Sequence, residues 1–297
     1  MKRIYILMAL CALAASSFAQ QKQTQDSTQR KAESDTLRIG GILIIKKRKQ
    51  NSKGNDSTNI LVNDMQVRKS KRRSNINYII IDAGFANWSD QTNYPTTGNF
   101  IANRPGTPAF SREDLKLRGG KSANINFWLF MQKIPLSKTN VNLKYGLGVE
   151  WFNYALRSPI SFRESGVLPG SGGVGTNAPF VYRDSISFSK NKFNLKYITV
   201  PLMLNFSTTK QKGKPTLSAS FGASASYLIR ERNKQNSSER GRARNQGDYD
   251  LQRFKISYIG ELGLGSTRLY GSYSPKSIFE RSLDIRPYVI GFRFSNW

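Results

Sequence analysis

Residues 217–229 read LSASFGASASYLI. Leu217, Ala219, Phe221, Ala223, Ala225, Tyr227 and Ile229 are apolar, and Ser218, Ser220, Gly222, Ser224 and Ser226 between them are small and polar. A period of two held over a dozen residues is a β-strand with one oily and one wet face. Its length suits a tilted membrane crossing, which takes about 9–11 residues, better than a soluble sandwich, where about 5–6 is usual.

The pattern recurs. Eight strands are expected, at residues 76–87, 122–132, 141–156, 192–207, 217–229, 253–264, 267–274 and 285–297. Alternation places Ile79, Ile81, Ala83 and Phe85 of the first strand outward, and Ile125, Phe127, Leu129 and Met131 of the second. The fourth strand changes phase between Tyr197 and Ile198 and contains Pro201, which cannot donate to the ladder. A bulge at 197–201 would reconcile both. Long and short connections alternate along the chain, as in a membrane barrel with long outer loops and short periplasmic turns. The expected fold is therefore all-β: an eight-stranded antiparallel transmembrane β-barrel, wound as an up-and-down meander. A secreted soluble β-sandwich is the structural alternative, but it gives no reason for alternating loop lengths.

The N-terminus supports export. Lys2 and Arg3 precede an apolar run at 4–15, and Ser17-Phe18-Ala19 is a small-x-small cleavage site. The expected organisation is a signal peptide at 1–19, a basic, largely disordered periplasmic extension at 20–75 with a strand-like island at 37–45, and the barrel at 76–297. Cys11 is the sole cysteine and lies within the signal, so thiol and disulfide chemistry are not expected of the mature chain.

The formal charge is +27, and loss of Lys2 and Arg3 leaves +25. In an exported chain nucleic acid is not the expected partner. The acidic partners to expect are outer-membrane lipid and lipopolysaccharide, with periplasmic or cell-wall polyanions as further candidates. The segment 230–250 carries six basic and four acidic residues, either as solvated charge or for polyanion recognition. The chain has no histidine, which excludes Ser-His-Asp triads, imidazole metal sites and HExxH zinc chemistry. No catalytic, cofactor-binding or metal-binding residue is assigned. GSGGVG at 170–175 lacks the lysine and helix of a phosphate loop and reads as an outer loop.

The inward face carries Asp82, Glu150 and Glu261 with Lys144, Lys255, Arg268 and Arg293. An eight-stranded barrel is just wide enough for side chains to fill. Charges there lose much of their water and need partners, so these seven are expected to form a salt-bridged plug. Aromatics near strand ends, among them Trp88, Tyr94, Trp151, Tyr154, Tyr227 and Tyr288, suggest interfacial girdles.

Four segments resemble the PorT-like outer-membrane β-barrel family of Bacteroidetes. YIIIDAGF at 78–85 looks like the family's opening strand. FNLKYITVPL at 193–202 is similar to its Tyr-Leu-x-Ile-Pro-Leu strand. DTLRIG at 35–40 resembles a pre-barrel element, and GFRFSNW at 291–297 a barrel end with a terminal aromatic. The resemblance implies a fold, an outer-membrane location and recognition by the barrel-assembly machinery through Phe292, Phe294 and Trp297. Trp297 has the parity of Arg293, not of Phe292, which implies either a late bulge or an imperfect terminal signal. It implies no shared reaction. The resulting expectation is a non-enzymatic barrel with a closed polar lumen, acting through its surface loops and periplasmic tail in envelope structure, adhesion or accessory secretion. A narrow small-solute pore and a histidine-independent lipid-modifying enzyme are the alternatives.

Overall fold

The computed structural model describes residues 35–39, 42–46, 75–136, 140–208, 217–264 and 267–295. The signal sequence, most of the extension and Trp297 lie outside the described residues. The chain divides into two units, 1–70 and 71–297. In the first, Asp35–Ile39 and Ile42–Lys46 pair as an antiparallel hairpin.

The second unit is the barrel. Its strands are β1 (Asn75–Asp90), β2 (Ala123–Pro135), β3 (Val141–Ala155), β4 (Lys190–Ser207), β5 (Leu217–Ser237), β6 (Phe254–Leu264), β7 (Thr267–Tyr273) and β8 (Ile285–Phe294). Each pairs antiparallel with the next. β8 pairs back onto β1 and β4 onto β5, so the ring closes without a free edge. Closure lets the strands pair their backbone groups with one another all round, the condition for crossing a bilayer with strands.

The alternation read from sequence sets the two faces. Phe85, Phe254, Ile256, Tyr258, Ile290 and Phe292 stand exposed on the outer wall. Such a continuous apolar surface has no place on a soluble monomer. Serines at 218, 220, 224 and 226 are buried on the inner face.

Bulges modify this pattern. β2 slips against β3 between Trp128 and Phe130, which leaves Leu129 as an extra residue. The phase inverts there, and Met131, expected outward, is fully buried inside against Ile80 and Trp128. Across the ladder Ile79 sits at φ +54°, a left-handed conformation that a β-branched residue adopts only under constraint. β4 has no phase change. Phe193, Leu195 and Tyr197 face inward and are buried, and Ile198, Val200 and Leu202 face outward, all in one parity. The inner face is simply apolar toward its outer end. The irregularity lies in the partner strand, where Lys196 pairs with Arg230 but Tyr197 with Leu228, so Ile229 is the bulged residue.

β5 also continues past the expected end at 229 to Ser237, and folds back as a hairpin with Gly241–Asn245. The wall therefore rises beyond the apolar belt. Trp88 and Tyr154 belong to no girdle. Both rings turn inward and pack on each other at 4.6 Å between centroids.

Candidate functional site: a closed lumen beneath a crown of loops

Two features lie inside the barrel, and the strand register positions both. The first is a charge network toward the short-turn end. Asp82, Arg293 and Arg268 occupy one row across β1, β8 and β7. Arg293 donates two bonds to Asp82, Nε to Oδ1 and Nη2 to Oδ2, each at 2.7 Å. Its third nitrogen, Nη1, reaches Glu261 Oε2 at 2.6 Å. Lys144 crosses the lumen from β3 to the same oxygen at 2.5 Å. Arg268 Nη1 holds Glu261 Oε1 at 3.0 Å. The fork of Arg293 thus bridges two carboxylates, geometry that a lysine does not offer. Trp128 Nε1 and Asn126 Nδ2 donate to Asp82 Oδ2 at 2.7 and 3.2 Å. The remaining pair is separate. Lys255 Nζ lies 3.0 Å from Glu150 Oε2, with the Phe152 and Tyr197 ring centroids at 4.4 and 4.6 Å. All seven charged side chains expected in the lumen are buried, and each has an opposite charge within ion-pair distance.

Glycines make room for the large inward side chains. Tyr270 of β7 lies flat across Gly291 of β8 and Gly84 of β1, and its hydroxyl donates to Asn124 Oδ1 of β2 at 2.6 Å. A Cβ on Gly291 would fall 2.7 Å from the Tyr270 ring and 2.4 Å from Gly84 Cα. Asn126, Trp128, Glu150, Met203, Tyr270 and Arg293 line a cavity of about 20 Å³. That is room for about one water molecule.

The second feature is an apolar core at the long-loop end. Each outer loop sends in an aromatic ring: Phe100 from 91–122, Phe162 from 156–189, Tyr249 from 238–253 and Phe279 from 274–284. They gather at Phe193 of β4. Phe162 stacks on it at 4.5 Å, with Tyr249 at 5.8 Å and Phe279 at 6.4 Å, and Phe100 meets Phe279 edge-on at 6.0 Å. Burying such rings stabilises by roughly 1.5–3 kcal/mol each.

Polar ties run around the rim of this core. Arg183 of the second loop forms a fork on Asp114 of the first, at 2.9 and 2.6 Å. Arg240 of the third reaches Asp184 of the second at 2.8 Å. Arg281 of the fourth holds Asp250 of the third at 3.0 and 2.9 Å. Gln91 N donates to the Asp284 carbonyl at 2.8 Å and closes the circuit from fourth loop to first. Burial alone would raise the Asp184 pKa. The bonds from Arg240 and Ser161 more than offset it and hold this carboxyl below its ordinary value. The aromatic core and these ties together join the four loops into one crown. Asp114 is also held within its own loop, where it and Ser111 form a capping box on the short helix Arg112–Leu115. The partners of the ties are set by loop folding and have no local signature in the sequence.

The family model described as outer membrane protein beta-barrel domain matches residues 93–279, more than half of the chain. The chain belongs to this family. Like its family, it is an outer-membrane β-barrel, and the match runs from the first outer loop into the fourth. No curated protein matches the sequence. Among solved structures the chain is similar to Ail, the attachment invasion locus protein of Yersinia pestis, solved in complex with the heparin analogue sucrose octasulfate. The identity is 11%, over 74% of this chain and 98% of that one, with a TM-score of 0.28. A likeness that distant carries no reading of function.

Proposed function

We propose that this outer-membrane barrel is a non-enzymatic envelope protein with a sealed lumen, working through its outer crown and its periplasmic extension. The observation that carries the reading is closure at two levels. The Asp82–Arg293–Glu261–Lys144 network crosses the lumen, and the aromatic core around Phe193 fills the mouth above it. On this reading neither level leaves a path for solute. What is left to present to a partner is surface: a rigid crown outside and the basic segments before β1. Envelope structure, adhesion and accessory contact with secretion machinery are the roles such a surface serves. The segments at 78–85 and 193–202 support placing the chain with the PorT-like barrels of Bacteroidetes. The outward, exposed Phe292 and Phe294 of β8 suit recognition by the barrel-assembly machinery.

Planar-bilayer recording of the purified barrel tests the sealed lumen. The expected result is no unitary conductance. Steady channels that change with Glu150→Gln or Glu261→Gln would replace this reading with a small-solute pore. Altered lipid A or phospholipid profiles in a deletion strain would instead indicate a lipid-modifying enzyme.

A further inference from the structure

The outer wall changes character just above the apolar belt. Ile198, Val200 and Ile229 are the last exposed aliphatic residues on β4 and β5. Beyond them the same outward face carries Lys192 and Lys196 on β4, Arg230, Arg232 and Lys234 on β5, and Arg244 on the returning hairpin strand. The register sets these cations directly against one another. Lys192 faces Lys234, Lys234 faces Arg244, and Lys196 faces Arg230. Like charges opposite each other across a ladder are destabilising. Among the described residues none of the six forms an ion pair with a carboxylate. Arg232 has only the Gln246 amide oxygen, at 3.1 Å.

Trp151 of β3 lies at the lower edge of the patch, with Lys196 Nζ 4.2 Å and Lys234 Nζ 5.9 Å from its ring centroid. Lys234 is held below the ordinary lysine value, by burial first and then by Arg232, Arg244, Lys196 and Lys192. The bulge at Ile229 creates the arrangement. Below it the even-numbered residues of β5 point into the lumen, and above it Arg230, Arg232 and Lys234 point out. One inserted residue brings three cations to the outer wall.

The geometry points to this face as a binding site for a phosphorylated glycolipid of the outer leaflet, a lipid A-type headgroup bearing more than one phosphate, with its acyl chains along Ile198, Val200 and Ile229. Three observations favour this ligand over a soluble polyanion. The cations begin where the exposed apolar residues end, which is headgroup level. They lie on the side of the wall, not at the crown's tip. They span β4, β5 and the hairpin strand, about 10 Å at roughly 4.8 Å per strand spacing, wider than one phosphodiester needs. Lysine and arginine on a barrel exterior supply point charges and forked donors to such phosphates. The tryptophan supplies an interfacial ring beside them.

The test uses the full-length protein purified in mild detergent. It is titrated with bisphosphorylated lipid A, phosphatase-treated lipid A, phosphatidylglycerol and a soluble sulfated saccharide, with bound lipid counted by native mass spectrometry. Bisphosphorylated lipid A is expected to bind at least tenfold more tightly than the other three. The K192Q/K196Q/K234Q variant is expected to lose tenfold or more, and Lys234→Gln alone about threefold. Lys121→Gln, an exposed cation on the first loop, is expected to change nothing. Equal binding of the phosphate-free glycolipid, of phosphatidylglycerol or of the saccharide overturns the assignment. So does unchanged lipid A binding by the triple variant or by Lys234→Gln. The gel mobility difference between boiled and unboiled samples reports folding separately, so a collapsed barrel is told apart from an absent site.

Discussion

Arg293 is fully engaged: three of its nitrogens are spent on Asp82 and Glu261, and the guanidinium lies 5.4 Å from the Trp128 ring centroid. Removing it leaves two buried carboxylates short of a partner. Arg293→Met is therefore expected to cost about 3–5 kcal/mol, measured by urea unfolding of the folded barrel in lipid vesicles. Gly291→Ala is a test of packing alone. Its new methyl would sit 2.4 Å from Gly84 Cα and from the Ala83 carbonyl, and the expected loss is about 1–3 kcal/mol by the same assay. The identities of the seven lumen charges were legible in the sequence, because a charge at inward parity on a lipid-facing strand stands out. Their partners were not. Lys144 meets Glu261 across the lumen, 117 residues away, and that depends on the stagger of all eight strands, which no local pattern encodes. Tyr270 was missed for a similar reason. Its role exists only because Gly84 and Gly291 fall beside each other in the register.

Strands were readable in existence and approximate extent because their outer faces must be apolar over the membrane's full thickness. Phase was readable only where the inner face is polar. At 127–131 both faces of β2 are apolar, so nothing in the local sequence marked the bulge at Leu129, and Met131 was assigned outward. On β4 an apolar inner face at Phe193, Leu195 and Tyr197 imitated a change of phase that does not exist. The true bulge is at Ile229, and it can be removed. Deleting Ile229 takes out the extra residue and leaves Leu228 and Glu231 inward and Arg230 outward, in one continuous alternation along β5. The expected outcome is an intact crown, with trypsin cleavage at 230–244 no faster than in the parent protein. Rapid cleavage of the variant would show that the bulge itself is needed to hold β5 in register.

Across the whole molecule, three Asp–Arg ties and one backbone bond join four loops into a circuit, so loosening one tie should expose its neighbours. Asp184→Asn is expected to speed trypsin cleavage after Arg240 at least several-fold, while the gel mobility of the barrel stays that of a folded protein. The same tie gives a pH dependence. The Asp184 pKa is depressed in the folded state relative to its ordinary 3.8. Its contribution is therefore fully present above pH 3.8 and is lost as the pH falls below that, through the folded value. Hydrogen exchange of the second and third loops should rise over that acid range and not at neutral pH. The loop crown was the least legible part of the fold, since loops of 91–122 and 156–189 carry no periodicity. Within that crown the small hairpin Gly166–Val167 and Gly175–Thr176 projects outward, with Gly170, Gly172 and Gly173 at positive φ and nothing within 4 Å of the side-chain positions of the last two. It belongs to neither the aromatic core nor the circuit of ties. That makes it a grafting point: a foreign peptide inserted between Gly172 and Gly173 would be carried on the cell exterior by a scaffold that does not depend on the segment it replaces.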